Sequence, residues 1–214
     1  MRGQERVEAL KNVDLSINSG TFAIIFGPSG GGKSTLLHLL GGIDRPTSGS
    51  LIVSGKPLEK LNEAELTRFR REHIGFVFQF YNLLSSINAI ENVALPLLAK
   101  GMHRREALER AKGLLDRVGL NSRALHKPSQ LSGGEQQRVT IARAIAGEPE
   151  IVLADEPTGD LDAKSSDEII QLMLAINRDQ GTTFVVATHN ERFLNFADRL
   201  FEIRSGELSE TKSA

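Results

Sequence analysis

The chain has 214 residues, 40% of them apolar and 25% charged, with a formal net charge of −1. A chain of this length buries a substantial core in one or two domains, and its balance is that of a soluble globular protein. So small a charge gives no general field for nucleic acid, which would need a local basic face, and the absence of cysteine excludes disulfides, thiolate catalysis and cysteine-ligated zinc.

Residues 1–6 are polar and lack the apolar core of a secretion signal. No apolar run anywhere approaches the roughly 18 to 20 residues that cross a bilayer, so a membrane role is expected only through a partner. Phe22-Ala23-Ile24-Ile25-Phe26 is a continuous apolar run, as in a strand buried on both faces of a parallel sheet. The glycine-rich residues 27–34 follow it, and Thr35-Leu36-Leu37-His38-Leu39-Leu40 extends as a helix. Leu51-Ile52-Val53 with Ser54-Gly55 reads as an antiparallel strand and turn.

Over 105–118, Ala107, Ala111, Leu114, Leu115 and Val118 form one helical stripe that ends at Gly119. Ser132 and Glu135 have capping-box spacing and open a helix over 136–146. Ile151-Val152-Leu153-Ala154 and Phe184-Val185-Val186-Ala187 are two more buried strands. Between them a helix over 166–178 carries Ile169, Ile170, Met173 and Ile176. The alternation predicts an α/β core in one domain, formed by about 1–79 and 148–214, with a helical subdomain inserted over about 80–147. Residues 207–214 are expected to be a frayed tail.

Gly27-Pro28-Ser29-Gly30-Gly31-Gly32-Lys33-Ser34, completed by Thr35, is a phosphate-binding loop between strand and helix. Its glycines let backbone N–H groups approach phosphate oxygens, and the helix N-terminus adds its own attraction for anions. Lys33 is placed for the β- and γ-phosphates and Ser34 for Mg²⁺. Asp155-Glu156 leaves a buried strand, where α/β ligands bind. Asp155 is the second Mg²⁺ candidate, through water, and Glu156 the general base for an attacking water. An acidic loop start would explain this pair in isolation; the phosphate loop argues otherwise. A cap explains Ser132 and Glu135 but not Gly133-Gly134 between them, which weaken a first turn. Close approach of a phosphate to bare backbone explains both glycines.

In this order the motifs resemble the ATP-binding subunits of ABC transporters over nearly the whole length. The resemblance implies a P-loop ATPase fold with a mixed, mainly parallel sheet and a small antiparallel part. It implies ATP and Mg²⁺ as ligands. Leu131-Ser132-Gly133-Gly134-Glu135 resembles the signature that closes in trans over a second copy's nucleotide. Gln79 resembles the Q-loop glutamine at Mg²⁺, Asp160, Leu161 and Asp162 the D-loop at the dimer seam, and His189 the switch histidine at the γ-phosphate.

Leu36 to Gly49, Phe78 to Leu84 and Glu91 to Leu97 are similar to the LolD/MacB/FtsE-like branch, which serves lipoprotein release, export of macrolides or peptides, and cell division. That implies an integral membrane permease contacted through the Q-loop and residues 80–97, a place on the cytoplasmic face of the membrane, and no nucleic acid partner. The alternative is a regulatory ATPase that signals to a membrane partner without transport. Family members usually begin with another strand and carry, upstream of the phosphate loop, an aromatic that stacks on adenine; none precedes Phe22, so either the sequence starts late or base stacking is absent, and weaker discrimination of ATP from GTP is expected.

Overall fold

A computed structural model describes residues 8–211; the polar start at 1–6 and the last three residues of the expected tail lie outside them. Six strands form the main sheet: β1 (Phe22–Phe26), β4 (Ile74–Val77), β5 (Ile151–Asp155), β6 (Thr183–Thr188), β7 (Arg199–Arg204) and β8 (Glu207–Thr211). Their order is β4-β5-β6-β1-β7-β8, parallel throughout except for the antiparallel β7–β8 pair. A separate hairpin pairs β2 (Ile52–Val53) with β3 (Lys56–Pro57), at the expected strand and turn.

Alternate strand residues serve two cores, as the two-residue period of a strand requires. Phe22, Ile24, Val152, Ala154, Phe184 and Val186 face one side and pack with α5 (Gly133–Ala146) and α6 (Ala163–Gln180). Ala23, Ile25, Leu153, Val185 and Ala187 face the other, against Leu36 and Leu37 of α1 (Lys33–Leu40). Phe22 is fully buried and stacks on Phe184 at 5.6 Å, so it is a core residue.

Beneath the hairpin, α2 (Glu63–His73) opens with an Asn62–Glu65 capping box. A third core joins α3 (Ala89–Ala99), α4 (Arg104–Arg117) and the other face of α5. Its alanines, among them Ala89, Ala94, Ala107, Ala111, Ala142 and Ala146, let the three helices approach closely. Thus α5 gives Ile141 and Ile145 to the sheet's core and Val139, Ala142 and Ala146 to the helical one.

The expectation of a frayed tail is corrected over its first five residues, which form β8. That strand carries one apolar side chain, Leu208, and is held by backbone pairing to β7 and by Arg199–Glu210. Such a ladder leaves little periodicity to read. Among the described residues, no helix is long and apolar enough to cross a membrane.

Candidate active site

Because β1, β4, β5 and β6 run parallel, their C-terminal ends open on one edge of the sheet. The phosphate loop leaves β1, Asp155 ends β5 with Glu156 just beyond it, His189 follows β6 and Gln79 follows β4. Packing as well as phosphate chemistry demands the loop's glycines. A Cβ on Gly27 would lie 2.1 Å from the Ile203 carbonyl oxygen. Gly32, the residue capping α1, has φ 108°, and a Cβ there would meet the Ala9 carbonyl at 2.7 Å. The Gly206 N–H, in the β7–β8 turn, donates to Gly31 O at 3.0 Å. The hairpin at the chain's end therefore props the loop, a support that sequence reasoning missed.

Lys33 is buried at 5% exposure, and its Nζ donates to the carbonyls of Gly27 (2.8 Å) and Pro28 (3.1 Å). The same Nζ lies 3.2 Å from Glu156 Oε1. Glu156 has φ 46°, a left-handed turn that ordinary side chains avoid, and its N–H donates to Ala187 O at 2.8 Å. Its Oε1 is 2.9 Å from His189 Nδ1. Its Oε2 accepts from the Thr188 hydroxyl (3.1 Å) and the His189 N–H (3.2 Å). One carboxylate thus joins lysine and histidine, with its side chain only 11% exposed. Thr188 is a further member of this cluster; a threonine at a strand end gives no signal of such a role.

Asp155 sits beside this pair. Burial pushes its carboxyl above the ordinary aspartate value, although a hydrogen bond with the Ser34 side chain works the other way. Its Oδ1 is buried without a hydrogen-bond partner. An unsatisfied hard oxygen beside a hydroxyl is a donor set that suits Mg²⁺. The Gln79 side chain lies against the Asp155–Asp162 connection: a Cβ on Gly159 would be 3.1 Å from its Nε2. Pro28, Ser29, Gly30 and Ser34 are exposed, while Thr35 is half-buried in α1.

The residues 132–135 stand elsewhere. Ser132 caps α5: the Glu135 N–H donates to its Oγ at 3.3 Å, and the Ser132 N–H donates to Glu135 Oε2 at 2.8 Å. That second bond is the main cause holding the Glu135 carboxyl below its ordinary value, helped by Arg123. Space beside Gly133 is limited by Tyr81 and Leu161, and beside Gly134 by Ser165. The corresponding neighbours of the loop glycines 27, 31 and 32 are Ile203, Pro28, Ala9 and Leu10. The atoms nearest these glycines in the two segments therefore belong to different residues. Asp160 is exposed, Leu161 half-buried, and Asp162 caps α6 by accepting from the Ser165 N–H at 3.0 Å. A cleft of about 730 Å³ near the hairpin, lined by Leu15, Ile17, Leu40, Ile52 and Leu153, includes none of these residues.

Residues 10–159 match the family model described as ABC transporter. The chain belongs to the ABC transporter family. It is 48% identical over 206 residues to the lipoprotein-releasing system ATP-binding protein LolD of Legionella pneumophila (strain Paris), covering 96% of this chain and 91% of that protein. LolD of Syntrophus aciditrophicus (strain SB) is 49% identical over 203 residues, 95% of this chain and 91% of the relative. A solved dimeric, post-hydrolysis state of the ATP-binding cassette MJ0796 bound to ADP and Pi superposes with a TM-score of 0.92 at 45% identity. It covers 100% of this chain and 94% of that one. CbiO1 of Clostridium perfringens, part of the transporter complex cbiONQ, matches with a TM-score of 0.85 at 29% identity, over 94% of this chain and 80% of its own. The protein is accordingly an ABC ATPase with the α/β P-loop fold expected from its sequence, and ATP and Mg²⁺ are its ligands.

Proposed function

We propose that two copies of this chain sandwich two ATP molecules, each held between residues 27–35 of one copy and Ser132, Gly133, Gly134 and Glu135 of the other. This reading is carried by the different surroundings of the two glycine-rich segments within one chain, Ile203, Pro28, Ala9 and Leu10 beside one and Tyr81, Leu161 and Ser165 beside the other. Each has phosphate-binding chemistry, yet neither completes the other in cis. Asp160, Leu161 and Asp162 then lie at the seam between copies. The dimeric form of the cassette MJ0796 supports the same arrangement.

Within each site the loop N–H groups and the end of α1 bind phosphate, and Lys33 neutralises the β- and γ-phosphates. Ser34, Asp155 and Gln79 would hold Mg²⁺, which when bound neutralises charge on the phosphate oxygens. Glu156 acts as general base on the attacking water, and His189 contacts the γ-phosphate. The ion pair between Lys33 and Glu156 gives way as phosphate takes over the lysine, freeing the carboxylate to accept a proton.

The core, about 1–79 and 148–214, and the helical unit, about 80–147, act as two bodies joined by the Q-loop. Phe80 at 76% exposure and Leu84 at 50% are apolar side chains without cover, and fit docking of a membrane subunit beside the Q-loop. The protein then works peripherally on the cytoplasmic face of the membrane. Identity to lipoprotein-releasing relatives favours lipoprotein release as the driven process, with a peptide or hydrophobic compound as related cargo.

The test is ATP turnover per chain as protein concentration is varied, with affinity purification from detergent-solubilised membranes as its second arm. Turnover should rise with concentration, and an integral membrane subunit and lipoprotein should co-purify. Full-rate hydrolysis by a strictly monomeric sample would overturn the sandwich. Purification without any membrane subunit would overturn the docking.

A further inference from the structure

The chain just after Gln79 is bent in a way that ordinary side chains avoid. Tyr81 and Asn82 are both left-handed, with φ of 58° and 48°. Asparagine adopts this region readily, but a tyrosine persists there only where its surroundings hold it. Here the hold comes from α5. Arg143 donates from Nη1 to Asn82 O at 2.6 Å and from Nη2 to Tyr81 O at 2.8 Å. Thr140 adds its hydroxyl to Tyr81 O at 3.2 Å. The Tyr81 phenol reaches the other end of the same helix, where a Cβ on Gly133 would lie 2.9 Å from its oxygen. One residue thus meets α5 beside Gly133 and again, through the side chains of Thr140 and Arg143, at positions seven and ten residues further on.

On the far side of the turn, the Gln79 side chain rests against Gly159. Only exposed Phe80 separates Gln79 from the clamped pair. A second observation marks the seat beneath the turn. Gln137 is fully buried, and neither its Oε1 nor its Nε2 has a hydrogen-bond partner. It stands four residues after Gly133 and three before Thr140, so it lies on the stripe that faces Tyr81. A wholly unpartnered buried amide is rare and costly.

We propose that Arg143 is a positioning residue for ATP hydrolysis. Its guanidinium fastens the Tyr81–Asn82 turn to the helix whose first turn is the signature, so Gln79 at one nucleotide moves with the Ser132–Gly134 end that serves the next. Gln137 supplies the donor and acceptor that the turn's backbone meets in a second seat, reached when the helical unit shifts. The link between the two nucleotides rests on the two-copy reading above; the hold on Gln79 does not. A guanidinium suits this task because its fixed fork satisfies two carbonyls together, whereas lysine offers a point charge.

The experiment compares Mg²⁺-ATP kinetics and thermal melting of the full chain with R143A, R143K and Q137M. For R143A, kcat should fall about ten- to a hundredfold, the scale of a misplaced group near the chemistry. KM for ATP should stay near wild type, because the loop contacts remain. R143K should recover only part of kcat, and millimolar guanidinium should restore part of it to R143A. Q137M should melt at the same or a higher temperature, since an apolar isostere removes two unpaired groups, yet turn over more slowly.

Wild-type kcat in folded R143A would overturn the proposal. So would losses in R143A and R143K that merely follow the folded fraction. Should R143A fail to fold, R143K and Q137M decide by the same criteria. Wild-type turnover independent of protein concentration would instead count against the two-copy reading, and the kcat comparison would still decide Arg143's hold on Gln79.

Discussion

The phosphate edge and the signature end are both glycine-rich helix starts, yet they are finished differently. At the edge, polar groups other than Asp155 Oδ1 satisfy one another within the chain: Lys33 binds two carbonyls and Glu156, and Glu156 binds Thr188 and His189. Lys33 is nearly out of solvent. At the signature, the capping box uses two N–H groups, of Ser132 and Glu135, and leaves Gly133 and Gly134 bare and half-buried. The first region closes its charged groups on one another. On the two-copy reading, the second presents a surface whose chemistry lies outside its own chain. A site divided in this way would make the meeting of two copies the controlled step, with exchange of the Lys33–Glu156 pair for phosphate the change required at the edge.

The largest effect should come at the phosphate edge, from removing the proposed base. E156Q keeps the size and most hydrogen bonds of the side chain but loses the proton acceptor and the charge facing Lys33. Hydrolysis should fall about 10²- to 10⁴-fold, the range attributed to general base catalysis. ATP binding should persist, and a nucleotide-bound dimer should accumulate on size exclusion. Near-normal turnover would remove Glu156 from its role.

Next in size is G134A, which separates the signature from its helix. Within one chain the added Cβ meets only Ser165 atoms at 3.5 and 3.6 Å, ordinary contact distances. Alanine is also the better helix former, so the monomer should be unchanged or more stable, by up to about 1 kcal/mol in denaturant unfolding. Turnover should nevertheless fall about a hundredfold, the scale of losing a preorganised donor at a developing charge. A variant that is both stable and fully active would mean that nothing approaches this backbone.

The two regions also differed in how far their sequence could be read. The strands β1, β5 and β6 are continuous apolar runs bounded by motifs, so their burial and parallel pairing follow from composition. The helices α4 and α6 carry clean stripes. At the site, the Lys33, Asp155 and Glu156 positions follow from a strand, a loop and a carboxylate pair in one chain order. What did not show in the sequence is held by single long-range bonds. β8 has one inward side chain and is defined by a ladder. Gly206 reaches Gly31, and Arg143 reaches two carbonyls about sixty residues earlier. Arg143 occupies a helix that a surface arginine would suit equally well. The left-handed turns at Tyr81 and Glu156 are likewise silent, because nothing in those residue types requests a positive φ; Asn82 is of a type that adopts it more readily.

The smallest effect separates the cap from the chemistry at the signature. The Glu135 carboxyl is held below its ordinary value, first by the Ser132 N–H and then by the Ser132 hydroxyl and Arg123. A depressed carboxyl contributes stability that is present above its unfolded value and is lost as pH falls through its folded one. E135Q keeps an acceptor for the Ser132 N–H but has no charge to lose. It should therefore melt about one or two degrees below wild type at pH 7, the side chain being partly exposed and screened. As pH falls through the Glu135 titration, wild type should lose that advantage and the two melting curves should converge. A gap that persists unchanged in acid would show that Glu135 supports the helix through packing, not through its charge on the capping N–H.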